Sequence, residues 1–275
     1  MKTYLNFGCG DKFDSSWTNV DQYAGPGTVQ HKLPKPFPFS SASFEVVYSS
    51  HVLEHFARDE ARKVIAECFR ILRPGGVLRL VVPDLEDVAR EYLRVLERVR
   101  HTSRADRQYE WISIELLDQY VREEHGGEMR NYLMGEGHGD EYVAGRIGAA
   151  EACGRDHRSE EARLARVLRL GTAELLARVV AKVYGLAVVA LLRCLPGPEF
   201  EAWRLGRFRR SGEVHRWMYD EYSLGRLLQD SGFVDVARRD PHTSYIHNWQ
   251  AYGLDGGNGT AYRPHSLIVE ALKPH

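Results

Sequence analysis

The sequence predicts an α/β protein: a sheet of parallel strands split by one long, mostly helical insertion. Three observations predict it. Short apolar or β-branched runs alternate with glycine turns and helical periodicity over the first hundred or so residues. That regularity is lost from roughly 101 to 215. It returns near Asp220 and continues almost to the last residue.

Thr3 to Phe7 is an apolar-biased run ending at Gly8, as a buried strand requires, and Trp17 to Asp21 is a second. Pro34, Pro36 and Pro38 make 31–39 an extended loop. Phe44 to Tyr48 reads as a third strand. From His51 to Leu72, Val52, Leu53, Phe56, Val64, Ile65, Phe69 and Leu72 recur at helical spacing, with a break near Arg58-Asp59 where Asp59 is expected to cap a second helix. Pro74-Gly75-Gly76 is expected to stop that helix, and Val77 to Val82 alternates as a strand. Asp84 to Arg100 is an amphipathic helix. After the gap come the helical run Tyr222, Leu224, Leu227, Leu228, closed by Ser231-Gly232, and two strands, Phe233 to Ala237 and Leu267 to Leu272. The expected units are 1–100, a first part of a core; 101–215, an insertion that shapes acceptor binding; and 216–275, which completes the core.

Composition narrows the function. Hydrophobic residues are 43% and charged residues 27% of 275, an ordinary globular balance that excludes a disordered or collagenous chain. Lys and Arg number 37 against 38 Asp and Glu, so any affinity for nucleic acid or membrane must come from a local patch. Cys9, Cys68, Cys153 and Cys194 are scattered, with neither metal-ligand spacing nor a secreted disulfide pattern. No leader is read in the first residues, so a cytoplasmic chain is expected.

Asn6-Phe7-Gly8-Cys9-Gly10, followed by Asp21, is the first candidate site. Glycines after a first strand admit a ligand close to the backbone, and an acid at the end of the second strand accepts from ribose hydroxyls. A dinucleotide loop needs a third glycine, whereas Lys12 and Phe13 stand there. The loop therefore suits a ligand without a pyrophosphate. The eleven-residue step from Gly10 to Asp21 is too short for a full crossover helix.

These residues carry a resemblance. Leu5 to Gly10 with Trp17 to Asp21, Phe44 to His55 and Ile71 to Arg79 resemble a class I S-adenosylmethionine (SAM)-dependent methyltransferase with a Rossmann-like sheet and helices on both faces. His215 to Tyr219, Ser231 to Phe233 and Tyr262 to Leu267 extend the likeness, so it covers the first hundred and last sixty or so residues. Within that superfamily the chain is most similar to the type 11-related branch associated with surface-polysaccharide and other glycan pathways. The resemblance implies SAM as cofactor, with Gly8, Cys9 and Gly10 at its methionine end and Asp21 on the ribose. Ser49, Ser50 and His51 would line the sulfonium region. Two departures stand out: Asn6 where the family often has an acid, and Gln30-His31 where an acid often meets the adenine.

Methyl transfer from a sulfonium is in-line displacement, so positioning dominates, but a hydroxyl acceptor also needs a base. Histidine has the matching pKa. His51 and His55, four residues apart, would share a helix face near the methyl, with Glu54 pointing elsewhere. His55 reads equally as a helix-start residue bonded to the next loop. The resemblance puts His215 over the site mouth, and His215 or His51 is the expected proton acceptor. His125, Glu128, His138, Asp140 and Glu141 are ligand types, but their spacing matches no defined site, so no metal is expected.

In the insertion, 179–192 is apolar except for Lys182, too short to span a bilayer and flanked by arginines. It suits a packed helix, a homodimer contact or a peripheral contact with the inner face of the membrane. Between 201 and 216 five Arg face two acids, Glu201 and Glu213. Arg207, Arg209 and Arg210, with Trp217, Arg263 and His265, are the candidate acceptor contacts, because Arg forks bind phosphate and aromatics stack on sugars. The expected function is O-methylation of a sugar or glycan-linked acceptor, and the Arg patch points to one that bears phosphate. The alternatives are a small-molecule methyltransferase acting on a phenol or amine, and a non-catalytic SAM-binding partner protein. Neutral overall charge argues against nucleic acid as partner.

Overall fold

The computed structural model describes residues 2–275 other than 24, 26, 103–105, 136, 153–179, 181, 182, 184–186, 188–196 and 258. Its sheet uses β1 (Tyr4–Phe7), β2 (Thr18–Asp21), β3 (Thr28–Gln30), β4 (Phe44–Ser50), β5 (Leu72–Pro83), β6 (Val234–Arg239) and β9 (Ser266–Leu272). A two-stranded hairpin, β7 (Gly256–Gly257) with β8 (Thr260–Ala261), stands apart. The sheet order is β3-β2-β1-β4-β5-β9-β6. The first five strands of that order run parallel, and β9 runs antiparallel to both β5 and β6. The sheet is therefore parallel-dominated rather than wholly parallel. β3 carries no apolar alternation (Thr28-Val29-Gln30, half-buried to exposed), which is why the sequence did not mark it.

One face of the sheet is helical. α1 (Arg58–Ile71) buries Ala61, Val64, Ile65, Cys68 and Ile71 along one stripe, and α8 (Glu221–Asp230) buries Leu224 and Leu228. They pack with Leu5, Phe7, Val47, Leu78, Leu80, Val82, Leu267 and Val269. Ala57, not Asp59, caps α1: Glu60 Oε2 accepts from Ala57 N at 3.0 Å, while Asp59 pairs outward with Arg62 at 2.7 Å. The helix ends at Ile71 and the chain passes directly into β5, so Pro74-Gly75-Gly76 forms the strand's entry beside a register shift in β4.

The other face is covered differently. Only residues 8–17 join β1 to β2, and only 22–27 join β2 to β3. Both links are shorter than the dozen or so residues a helical crossover needs. The apolar cluster on this face (Trp17, Val46, Tyr48, Val77, Val81, Ile246, Trp249, Leu254, Ile268) draws no residue from an α-helix. Its cover is the chain between β6 and β9, including a 3-10 turn at Trp249–Tyr252. A buried ion network fastens that cover. Arg79, on β5, bonds Asp255 Oδ2 (2.8 Å), Glu270 Oε1 (2.8 Å), Thr243 O (2.9 Å) and Asp240 O (2.9 Å), and its guanidinium stacks on Trp249. Tyr48 OH donates to Asp255 Oδ1 at 2.6 Å.

Between the two parts of the sheet lie α2 (Leu85–Val99), capped by Asp84, α3 (Asp106–Val121), α4 (Gly127–Met134), α5 (Glu141–Ile147), α6 (Ala149–Ala152) and α7 (Gly197–Arg209). Trp111, Tyr132, Val143 and Ala152 form a small core there. Arg146 pins the helices together, forking onto Glu115 (3.0 and 2.6 Å) and reaching Asp87 (2.7 Å). Among the described residues no helix is long and apolar enough to cross a membrane. The stretch 179–192, assigned above to packing, dimer or membrane contact, lies outside the described residues except for 180, 183 and 187; Cys153 and Cys194 also lie outside them.

Candidate active site

The strand order brings the carboxyl ends of β1, β2 and β4 together, where open α/β sheets bind their ligands. At the end of β1 the chain turns through Gly8 (φ +65°) and Gly10 (φ +51°). A Cβ on Gly8 would stand 2.2 Å from Val52 Cγ2, so the loop lies directly against the segment after β4. A Cβ on Gly10 would meet nothing within 4 Å, leaving an open cradle there. Asp21 Oδ2 accepts from Gly10 N (3.0 Å) and Oδ1 from Tyr23 N (3.0 Å), which joins the end of β2 to that cradle. Asp21 is also in register with Gln30 of β3, and His31 N donates to Asp21 O at 2.8 Å. The ribose and adenine candidates are thus neighbours. The open glycine cradle and its adjoining carboxylate fit the methionine and ribose ends of SAM.

Asn6 is buried, and its Nδ2 donates to Lys12 O at 3.2 Å, folding the loop back on itself. Lys12 Nζ lies 3.4 Å from the Tyr262 ring centroid. Burial, then the Asp21 charge, pushes the Cys9 thiol up to about 11, so it stays protonated. Ser49 is buried and donates to Phe7 O at 3.0 Å, while Ser50 is half-buried at the end of β4.

Beyond β4 the chain does not enter a helix. His51 takes a left-handed φ of +54°, and a 3-10 turn spans Leu53–His55. His51 and His55 therefore do not share a helix face, and Glu54 does not point away. Glu54 is fully buried beside His51, with Nδ1 3.3 Å from Oε1. His51 Nε2 lies 3.1 Å from Ser266 Oγ. His215 is 7% exposed, and its ring meets that of His55 edge-on at 4.8 Å. Backbone bonds hold this arrangement: Arg216 N and Trp217 N donate to Glu54 O (2.8 and 3.2 Å), and His215 N donates to Gln119 O (2.9 Å).

Burial drives His215 down to about 3, so it is neutral at neutral pH and a poor proton acceptor. Burial raises Glu54, but the attraction of His51 and the neighbouring histidines outweighs it and holds the carboxyl down to about 2. Burial, then the Glu54 charge, pushes Tyr219 up to about 12. Sequence reasoning missed Glu54. The signal available was the His51-x-x-Glu54-His55 spacing, a pattern of metal and base residues that the assumed helix concealed.

The remaining candidates scatter. Trp217 lies under the Arg58 guanidinium at 4.7 Å. His265 Nδ1 is 3.1 Å from Asp87 Oδ1, and Arg263 is exposed just before it. Arg207 and Arg210 line a surface groove on α7 with Trp203, Gly206 and Ser211, which Arg209 does not line. Among the described residues no hydrogen bond or ion pair joins these three arginines to the Glu54 cluster. Asp140 caps α5 and His125 pairs with Glu213 at 2.5 Å, so the His125–Glu141 group is occupied with local structure.

Residues 16–80 match the family model of a methyltransferase domain. A probable S-adenosylmethionine-dependent methyltransferase of Mycolicibacterium smegmatis is 39% identical over 56 residues, 20% of this chain and 21% of that protein. The chain thus spans about a fifth of the curated relative it matches. Among solved structures it is similar to a Burkholderia thailandensis 1,6-didemethyltoxoflavin-N1-methyltransferase holding S-adenosylhomocysteine. That likeness has 12% identity and a TM-score of 0.39, covering 99% of this chain and 71% of that one. It is also similar to the CurJ carbon methyltransferase, with 10% identity and a TM-score of 0.37, covering 99% of this chain and 48% of that one.

Proposed function

We propose that the chain moves the methyl group of SAM to a hydroxyl oxygen of a sugar or glycan-linked acceptor that bears phosphate. The sulfonium, when bound, supplies an already activated methyl group. The chain's own work is then positioning and proton removal. Asp21 and the glycine cradle orient the cofactor. His51 takes the hydroxyl proton as the oxygen–methyl bond forms and the sulfur–methyl bond breaks; the electron pair stays on sulfur, giving S-adenosylhomocysteine. Glu54, 3.3 Å from His51 Nδ1, orients the imidazole for that step.

The observation that carries the acceptor class is the α7 groove, where Arg207 and Arg210 converge with Trp203. Two guanidinium forks beside an indole suit phosphate next to a sugar ring. The test is methyl transfer from labelled SAM to nucleotide sugars and lipid-linked saccharides, with mass spectrometry of cellular glycans from a strain lacking the chain. A glycan lighter by one methyl in that strain supports the reading. In the enzyme assay, Arg207→Ala with Arg210→Ala should raise acceptor KM by roughly tenfold or more at unchanged cofactor affinity. An unchanged KM removes the phosphate, and turnover only on phenols or amines removes the sugar.

A further inference from the structure

Eleven buried side-chain nitrogen and oxygen atoms lack a hydrogen-bond partner among the described residues, and five gather in one place: Glu54 Oε2, His55 Nδ1, His215 Nδ1, Tyr120 OH and Tyr219 OH, beside Glu54 Oε1 with its 3.3 Å ion contact to His51. Each orphaned group of this kind costs about 1–3 kcal/mol, so a native fold does not concentrate them without something to satisfy them. Glu54 is 0% and His215 7% exposed, while His55 is half-buried. One ligand atom from each of Glu54, His55 and His215 lies within 4.8 Å of the other two.

We propose that Glu54, His55 and His215 bind a divalent transition-metal ion of the zinc class. Two imidazoles and one carboxylate form the donor set of three-ligand zinc sites that keep a coordination position open. This set disfavours magnesium and calcium, which take oxygen ligands. The local fold supplies the geometry. The 3-10 turn puts Glu54 and His55 on the side of the returning chain, and the bonds from Arg216 and Trp217 to Glu54 O bring His215 to them. The Tyr120 ring meets that of His215 edge-on at 5.8 Å, so its hydroxyl is placed to serve a water of the ion. Resting on the transferase reading, the open position would take the acceptor hydroxyl and acidify it next to His51.

The experiment uses the full chain without cofactor or acceptor, so its failure leaves methyl transfer untouched. Chelator-treated protein is dialysed and titrated with Zn²⁺, and with Co²⁺ as a spectroscopic probe. One ion per chain, a visible cobalt spectrum displaced by zinc, and a zinc-dependent rise in Tm are expected. Glu54→Gln, His55→Ala and His215→Ala should each weaken binding by about 100-fold or more. His125→Ala, at an exposed histidine elsewhere, should leave it unchanged. No stoichiometric ion on the wild type, or tight binding that survives both Glu54→Gln and His55→Ala, overturns the proposal. If Glu54→Gln fails to fold, His55→Ala at its half-buried position decides alone.

Discussion

Arg79→Met removes the guanidinium that fastens the β6–β9 cover to the sheet and keeps most of its apolar stem. Arg79, Asp255 and Glu270 are all buried, and the arginine makes two ion pairs and two bonds to carbonyls. Removing one partner from a buried ion network costs about 3–5 kcal/mol, because it strands the opposite charge. Here the lower half of that range applies. Tyr48 OH still holds Asp255, while Tyr245 N (2.7 Å) and Arg239 (3.3 Å) still hold Glu270. At roughly 2–4 °C per kcal/mol for a chain of this size, Tm should fall by about 6–16 °C. Calorimetry and urea unfolding measure it. The triple variant Arg79→Met, Asp255→Asn, Glu270→Gln should recover much of the loss, since the one charge it unpairs, Arg239, is part-exposed to water. A loss under about 1 kcal/mol for Arg79→Met, or a triple variant worse than the single one, refutes the assignment of this network as the fastening.

Three further outcomes are expected. Asp21→Ala loses the carboxylate that holds the Gly10 cradle and is proposed to hold the ribose, so SAM should bind about 10–100-fold more weakly by titration calorimetry; unchanged affinity contradicts the ribose role. Gly8→Ala places a Cβ 2.2 Å from Val52 Cγ2 at a left-handed φ, for a loss of about 2–4 kcal/mol. Adding Val52→Ala should return the clash part only, and no recovery in urea unfolding removes the packing explanation. Glu67 is held below its usual 4.5, first by hydrogen bonding to Arg70, so its stabilisation is present above that value and is lost as pH falls through the lowered one. The Tm gap between wild type and Glu67→Gln should therefore close as the pH falls below 4.5, and a gap that widens there reverses the sign.

Much of the fold was legible because its signals are local. β1, β2, β4, β5 and α2 lie where the runs place them, since alternation and the helical stripe act within a few residues. Long-range partners leave no such trace. Nothing near Ser266–Leu272 distinguishes a strand that pairs antiparallel from one that pairs parallel. Arg79 looked like one polar residue in an apolar strand. Its meaning depends on Asp255 and Glu270, which lie 176 and 191 residues further on. The short β1–β2 link was visible as too short for a helix, and the consequence follows physically. A bare sheet face still has to be covered, and here Trp249, Ile246 and Leu254 cover it.

The site divides along the same line. The glycine cradle and Asp21 were readable because each sits at a strand end and the strand order fixes their meeting. The histidines were readable as residue types and misread in geometry. Helical spacing puts positions four apart on one face, but that holds only if the segment is a helix. His51 at φ +54° breaks the periodicity at its first residue, and the 3-10 turn after it rotates Glu54 inward. A side chain in that backbone region costs about 1–3 kcal/mol, which the surrounding fold must over-determine. It does so with His51 N bonded to Val81 O at 2.8 Å, Val52 wedged on Gly8, and Glu54 O taken by Arg216 and Trp217. The strain therefore belongs to the device that turns Glu54 and His55 toward His215. Glycine takes that φ without the cost, so His51→Gly should keep the turn and lose only the imidazole's contacts, costing under about 1 kcal/mol in urea unfolding; a larger loss contradicts the assignment of strain to this residue.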